Sequence, residues 1–428
     1  HSSARKAMET NKVVRRAIVL SGGGARGAYE AGVLAYLFEK LPGKLGRPVA
    51  FDIVTGTSVG AVHAAYLAAH QFDADVSRRL QDVWLSLSLQ RVFTPRGVGD
   101  LLRAPLRLLG FGSQPPPLPP TRSGVPERLP GLFDTSWLEE IILRNIDWKR
   151  LRQQIDSGAL DALALAATEI ATGRSVVFVD RGGRPLPPWN RDPFVVARAV
   201  TIGPAHALAS AAIPLFFPAL RIDRTYYCDG GLRLNTPLAP AIRLGADRVL
   251  VVSLRHARSP KEEDRLARRR EAAYNSLSYL AGKALNALLI DRVEQDLERL
   301  RAINAIFRKG TEIYGHDFLA RMNAALRGER ETGYRIIGNC LLRPSRDLGE
   351  LAAECLEHRG RAASVRDWLS RNVAWIATRG TITEADLLSY IYFDSCYAAH
   401  LLELGRADAE RAAPELLRFF SDEAESEL

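Results

Sequence analysis

Cysteine is scarce. The chain has four in 428 residues: Cys228, Cys340, Cys355 and Cys396. They are scattered, with no C-x-x-C pair, so their spacing points to neither a disulfide framework nor a zinc site. A reducing compartment, the cytoplasm, follows as the expected location. Long apolar runs are missing too. None approaches the roughly 18 residues that a membrane span needs. The stretch Ala17–Leu20 after Arg15-Arg16 is too short for a secretory core, which takes about 7–15 residues. The chain begins His1-Ser-Ser without a methionine, which reads as a tag remnant or a trimmed terminus. Lysine is rare, for arginine supplies 50 of the 58 basic residues behind a net charge of +9. No dense basic run is interleaved with aromatics. The densest cluster, Arg265–Arg270, sits beside Glu262, Glu263 and Asp264 and reads as a solvated helix face. Nucleic acid is therefore not an expected partner.

What remains is 47% hydrophobic and 25% charged. That is the balance of a globular protein, in a chain long enough to bury a large core without staples. Residues 13–20 form an apolar run that ends in Ser21-Gly-Gly-Gly24, a buried strand entering a glycine turn. Helical spacing follows over 25–40. Residues 51–55 form a second short strand, followed by Gly56-Thr-Ser-Val-Gly60 and a small-residue helix over 59–70. Strand, glycine turn, helix, twice in about 70 residues, predicts a mainly parallel sheet covered on both faces, an α/β fold of three layers.

Residues 91–135 differ. Pro115–Pro120 is a proline-rich loop, and the 98–111 segment mixes Leu and Phe with Arg. It reads either as a cap over the site or as a plain surface insertion. Residues 163–170 and 174–179 predict a hairpin turning at Thr172-Gly173. A helix is expected near 206–212, a strand over 226–228 ending in Asp229-Gly-Gly231, a helix to about Leu244 and a strand over 248–254. From about residue 260 the chain reads as helical, including a long charged helix to about Phe307. The run 334–342 is a candidate late strand. The expected division is 1–257 as catalytic domain, with 91–135 as cap, and 258–428 as a mainly helical region packed on it.

Gly56-Thr-Ser-Val-Gly60 is a G-x-S-x-G. The bare pattern is weak, but here it ends a strand and opens a helix. Two glycines there permit the strained turn that lifts a serine hydroxyl from the sheet. The bland alternative for Ser58 is a helix N-cap. A nucleophilic serine needs a base and an oxyanion hole. Gly22, Gly23 and Gly24 can aim backbone amides at one point. Arg26, in the first turn of the next helix, opposes the helix dipole. It could recruit an anionic headgroup, brace the loop or pair with a buried acid, or be an indifferent surface residue. Asp229 ends a strand, and Gly230-Gly231 would turn the chain so that its carboxylate joins the same sheet edge. D-G is also a common turn signal.

Taken together, Gly22–Gly27, Gly56–Gly60 and Asp229–Gly231, with Ser210-Ala-Ala-Ile-Pro214 and Phe217-Pro218, resemble the patatin-like phospholipases over roughly residues 13–257. The resemblance implies a Ser58–Asp229 dyad without a metal or other cofactor. It implies an oxyanion hole from Gly22, Gly23, Gly24 and Arg26. It also implies phospholipid, lysophospholipid or neutral acyl-ester substrates; transient peripheral contact with a membrane surface is expected besides. Three rivals stand beside it. Gly22-x-Gly24-x-x-Gly27 fits a dinucleotide fingerprint, but that needs an acid at the end of the second strand, where Thr55-Gly56 stand and which Asp52 only begins. His256, just past a strand, could complete a Ser-Asp-His triad. The chain could also be a catalytically silent lipid-binding scaffold, against which every element of the dyad is intact.

Overall fold

The computed structural model describes residues 14–92, 94–95, 116–122, 124–131, 133–189, 193–214, 216–259, 261–262, 264, 293–326, 333–360 and 384–421. Its strands are β1 (Arg16–Leu20), β2 (Ile53–Thr57), β3 (Thr94–Pro95), β4 (Arg128–Leu129), β5 (Phe133–Asp134), β6 (Ala162–Glu169), β7 (Ser175–Asp180), β8 (Val195–Ala199), β9 (Ala219–Ile222), β10 (Thr225–Asp229), β11 (Arg248–Val252) and β12 (Gly338–Leu342). Ten of them form one mixed sheet in the order β12-β11-β1-β2-β6-β10-β9-β4, with β7 and then β8 continuing from β6. The run β12-β11-β1-β2-β6 is parallel. β7 and β10 are antiparallel to β6.

The central strands are short and apolar because both faces are covered. Every residue of β1, β2 and β11 is buried. Alternate residues feed two cores, as a period of two dictates. Ile18, Leu20, Val54 and Leu250 face the larger one, with the helices Gly27–Glu39 and Val59–His70. Ala17, Val19, Ile53 and Val251 face the smaller, closed by Leu297 and Leu300 of the helix Val293–Tyr314. The result is helix, sheet, helix in three layers.

The two N-terminal helices are rich in Gly and Ala and buried nearly all round. Small residues let other backbone approach. A Cβ on Gly32 would stand 2.1 Å from the Leu402 carbonyl, and one on Gly405 2.2 Å from the Tyr29 carbonyl. The C-terminal helix Ser395–Arg411 is therefore seated directly on Gly27–Glu39. At the far end, Arg16 donates to the carbonyls of Phe420 and Ser421, and Arg248 to those of Arg418, Phe419 and Ser421. Two strand-borne cations thus satisfy the last carbonyls of the helix Ala413–Phe420, where the helix dipole favours positive charge.

The region after residue 257 supplies more than helices. β12 completes the parallel run beside β11, and Leu401, Leu416 and Phe420 share the larger core with β1 and β2. The 98–111 segment, read as a cap, lies outside the described residues. Of the surrounding insertion, β3 and β5 pair with each other, and β4 extends the main sheet through β9. Two strands that the sequence pattern did not announce, β8 and β9, also belong to the sheet. No helix among the described residues is long and apolar enough to cross a membrane.

Candidate active site

The site is built where two strands meet end to end. β2 lies along β6 with Thr57 opposite Ala166, and β10 lies along β6 with Asp229 opposite Ala167. β7 takes the other edge of β6, opposite Leu163–Thr168. β2 and β10 therefore share one edge and point at each other, since one runs parallel and the other antiparallel to β6. Their carboxyl ends abut. The residue after β2 is Ser58 and the last of β10 is Asp229, and Ser58 Oγ donates to Asp229 Oδ2 at 2.5 Å. Both are buried.

Ser58 occupies a strained turn, with φ 55° and ψ −126°. Such a conformation costs on the order of 1–3 kcal/mol for a residue with a Cβ. Neighbours hold it. A Cβ on Gly56 would lie 2.1 Å from the Gly60 carbonyl, and one on Gly60 2.4 Å from the Leu20 carbonyl, so the turn closes only with glycine at both places. The Ser58 N–H donates to Ser210 Oγ at 2.9 Å, and Ser210 in turn donates to the Ala166 carbonyl on β6. Thr57 Oγ1 donates to the Leu234 carbonyl at 2.8 Å.

Asp229 is gripped as firmly. Its Oδ1 accepts from the Gly231 N–H at 2.7 Å, its own N–H donates to the Ala212 carbonyl at 2.9 Å, and its carbonyl accepts from Thr168 Oγ1 at 2.9 Å. Burial pushes its carboxyl up to about 6, against the opposing pull of the hydrogen bonds from Ser58 and Gly231. The group is thus ionised at neutral pH yet more basic than an exposed aspartate, the tuning expected of a general base.

The glycine loop divides its labour. Gly22 packs against Ser58, where a Cβ would come within 3.1 Å of the serine Cβ. Its N–H already donates to the Asn235 carbonyl at 2.9 Å, so Gly22 supplies room rather than a free donor. The amides of Gly23 and Gly24 donate to no acceptor among the described residues. Gly24 has φ +55°, and a Cβ there would meet the Tyr390 carbonyl at 2.2 Å. Arg26, counted in the sequence with the hole, has other partners. Its buried side chain donates from Nε to Ser389 Oγ at 2.7 Å and stacks 3.9 Å over the Tyr390 ring. These contacts tie Arg26, just after the glycine loop, to the C-terminal region.

An apolar cavity of about 90 Å³ opens beside Ser58. Gly24, Val62, Leu80, Trp84, Ile142, Phe217 and Phe393 are among its walls. His63 also lines it, but both ring nitrogens are engaged: Trp84 Nε1 donates to Nε2 at 3.0 Å, and Nδ1 faces Glu30 Oε2 at 2.8 Å. Indole N–H is only a donor, so Nε2 accepts and Nδ1 carries the proton toward Glu30. Glu30 is wholly buried, with its carboxyl raised by that burial, and also accepts from the Ser21 N–H at 2.8 Å. This pair locks the first strand's exit to the helix behind Ser58. Sequence reasoning takes His63 as a helix-borne packing residue and misses its pairing with Glu30, because nothing local announces a partner 33 residues away.

His256 is elsewhere in the bonding pattern. Its Nδ1 donates to the Pro344 carbonyl at 2.9 Å. The bond between Ser58 and Asp229 is direct, with no imidazole between the two side chains. Nor does an acid end β2, where a dinucleotide site would need one.

Comparison with known proteins bears on the same region. The chain is 30% identical over 222 residues to a protein of Pseudomonas aeruginosa named cGAMP-activated phospholipase, a match covering 51% of this chain and 53% of that one. It therefore spans about half the length of that curated relative. Among solved structures, VipD of Legionella pneumophila aligns over 94% of this chain and 67% of its own at 14% identity, with a TM-score of 0.36. The model of the patatin-like phospholipase family matches residues 18–242. That match takes in more than half of the chain, with Ser58, Asp229 and the glycine loop inside it, and on this ground the chain belongs to the patatin-like phospholipase family.

Proposed function

We propose that the protein is a serine acyl hydrolase of phospholipids, lysophospholipids or related acyl esters. The observation that carries this reading is the direct bond from Ser58 Oγ to Asp229 Oδ2, with Ser58 lining an apolar cavity. Ser58 Oγ attacks the ester carbonyl carbon while its proton passes to Asp229. The carbonyl oxygen becomes an oxyanion that the Gly23 and Gly24 amides receive; one such donor is typically worth about 3 kcal/mol of transition-state stabilisation. Collapse expels the alcohol, which takes the proton back from Asp229, and leaves an acyl group on Ser58. Water then attacks with Asp229 again as base, releasing the fatty acid. The apolar walls beside Ser58 suit an acyl chain.

Substrate is expected from a membrane surface, which the protein would meet transiently and peripherally. The test is hydrolysis across phospholipid vesicles, lysophospholipid micelles, triacylglycerol and short nitrophenyl esters, with Ser58→Ala as control. Because the Pseudomonas relative is named for activation by cGAMP, each substrate is assayed with and without that nucleotide. Hydrolysis of at least one lipid class, lost in Ser58→Ala and kept in His256→Ala, supports the dyad. A drop of several orders of magnitude in His256→Ala would restore the triad. No hydrolysis of any ester under either condition would favour a lipid-binding scaffold.

A further inference from the structure

Away from the catalytic centre, two C-terminal helices bring together a set of side chains that the sequence reading passed over. Cys355 lies on the helix Leu348–Gly360, and Cys396 and His400 lie one turn apart on the helix Ser395–Arg411. Their Sγ atoms are 3.9 Å apart, and His400 Nδ1 is 3.7 Å from Cys355 Sγ and 3.9 Å from Cys396 Sγ. All three ligand atoms lie within 4.8 Å of one another.

Those separations match the edges of a coordination tetrahedron. With metal–sulfur bonds of about 2.3 Å and metal–nitrogen bonds of about 2.0–2.1 Å, tetrahedral angles demand S···S of about 3.8 Å and S···N of about 3.6 Å. An ordinary disulfide would instead need the sulfurs at about 2.0 Å. Two thiols and an imidazole are also the donor set that borderline and soft ions prefer over Mg²⁺ or Ca²⁺. Cys355 is buried while Cys396 and His400 are exposed, so one side of the group is closed and the other gives an ion a way in. His358 stands three residues after Cys355 on the same helix, hence on the same face, and is exposed. The pattern is Cys355-x-x-His358 with Cys396-x-x-x-His400. A search for paired cysteines alone overlooks it, because each helix offers one cysteine and one histidine.

We propose that these helices form a structural site for one Zn²⁺-class ion, held by Cys355, Cys396 and His400, with His358 as the fourth ligand after a turn of its side chain. Binding releases the two thiol protons. It also trades the bond between His400 Nδ1 and the Cys396 carbonyl, now 2.8 Å, for the metal. The consequence reaches the glycine loop. The Ser395–Arg411 helix is seated on Gly27–Glu39, and Ser389 and Tyr390, just before it, hold Arg26 and crowd Gly24. An ion joining the two helices would fix the part of the molecule that braces the loop. The site stands independently of the hydrolase reading.

The test uses the full chain, freed of any polyhistidine tag, reduced and stripped with a chelator. Co²⁺ is titrated in and the thiolate-to-cobalt absorption recorded, and Zn²⁺ is then added in competition. One equivalent of tetrahedral Co²⁺, displaced by Zn²⁺, is expected. The exposed Cys396→Ser and His400→Ala changes should each weaken binding by more than about tenfold while circular dichroism stays unchanged. His358→Ala should weaken it as well, and unchanged binding there would remove His358 as a ligand. No cobalt signal in the reduced, folded protein would overturn the proposal. Binding that Cys396→Ser and His400→Ala leave intact, or a Cys355–Cys396 disulfide in protein isolated with its thiols blocked, would do the same.

Discussion

Thr57 and Asp229 face consecutive residues of one strand, Ala166 and Ala167 of β6, from opposite directions. The geometry of the site follows from that relationship. Backbone pairing to a shared strand, more than any contact between the two side chains, sets how far Ser58 lies from the carboxylate.

The environment of Asp229 implies a definite pH profile. Its carboxyl is raised to about 6 and must be ionised to accept the serine proton. The kcat/KM for a soluble ester should therefore rise with pH through an apparent pKa of about 6 and then level off. Asp229→Asn should reduce it by about a thousandfold or more with the fold intact, since general-base catalysis contributes about 10²–10⁴. Near-normal turnover in that variant would refute the base assignment.

The same group makes a prediction about stability. A carboxyl with an ordinary value of 3.8 when exposed and about 6 when folded binds more protons in the folded state across that window. Folding stability is then greatest below pH 4 as far as this group is concerned. It falls as pH rises through 6, by an amount on the order of 3 kcal/mol. Asp229→Asn, which carries no such charge, should gain in Tm relative to the parent as pH goes from 4 to 7. A difference that does not change with pH, or that shrinks, would contradict this.

Much of the site was legible in the sequence for local reasons. Gly56 and Gly60 flank Ser58 because the turn cannot close otherwise, and Gly230 follows Asp229 because a Cβ there would stand 2.3 Å from the Ala166 carbonyl. Such constraints write themselves into residue type. The central strands are equally legible, being short apolar runs buried on both faces. The partner of Arg26 was not. Ser389 and Tyr390 lie more than 350 residues away, and nothing near Arg26 announces them. Glu30 and His63 were hidden likewise, as were β8 and β9, which lack strong apolar alternation and owe their place to pairing with β7 and β10. Gly22 shows a subtler limit. Its type is dictated by crowding against Ser58, while its amide, equal to its neighbours' in sequence, is already taken by Asn235.

Ser210 should behave as a positioning residue. It accepts from the Ser58 N–H and donates to β6. Ser210→Ala leaves a buried N–H without its acceptor, costing about 1–3 kcal/mol of stability, and loosens the strained turn. We expect kcat to fall at least about tenfold with KM little changed, and Ser210→Thr, which keeps the hydroxyl, to restore most of it. A variant with unchanged kcat would show that the turn holds without this bond.

The cavity should read acyl length. Val62 lies one helical turn beyond Ser58 and forms part of its wall. Val62→Phe should leave acetate esters nearly untouched but weaken long-chain esters. Each methylene denied its place costs about 0.8 kcal/mol, roughly fourfold in kcat/KM. Equal losses at every chain length would mean that the acyl group binds elsewhere.

The most direct measurement is covalent trapping with a fluorophosphonate, followed by peptide mapping. One adduct per chain on Ser58 is expected, with none in Ser58→Ala and much slower formation in Asp229→Asn. An adduct on another residue, or equal labelling of the Ser58→Ala chain, would contradict the assignment of Ser58 as nucleophile.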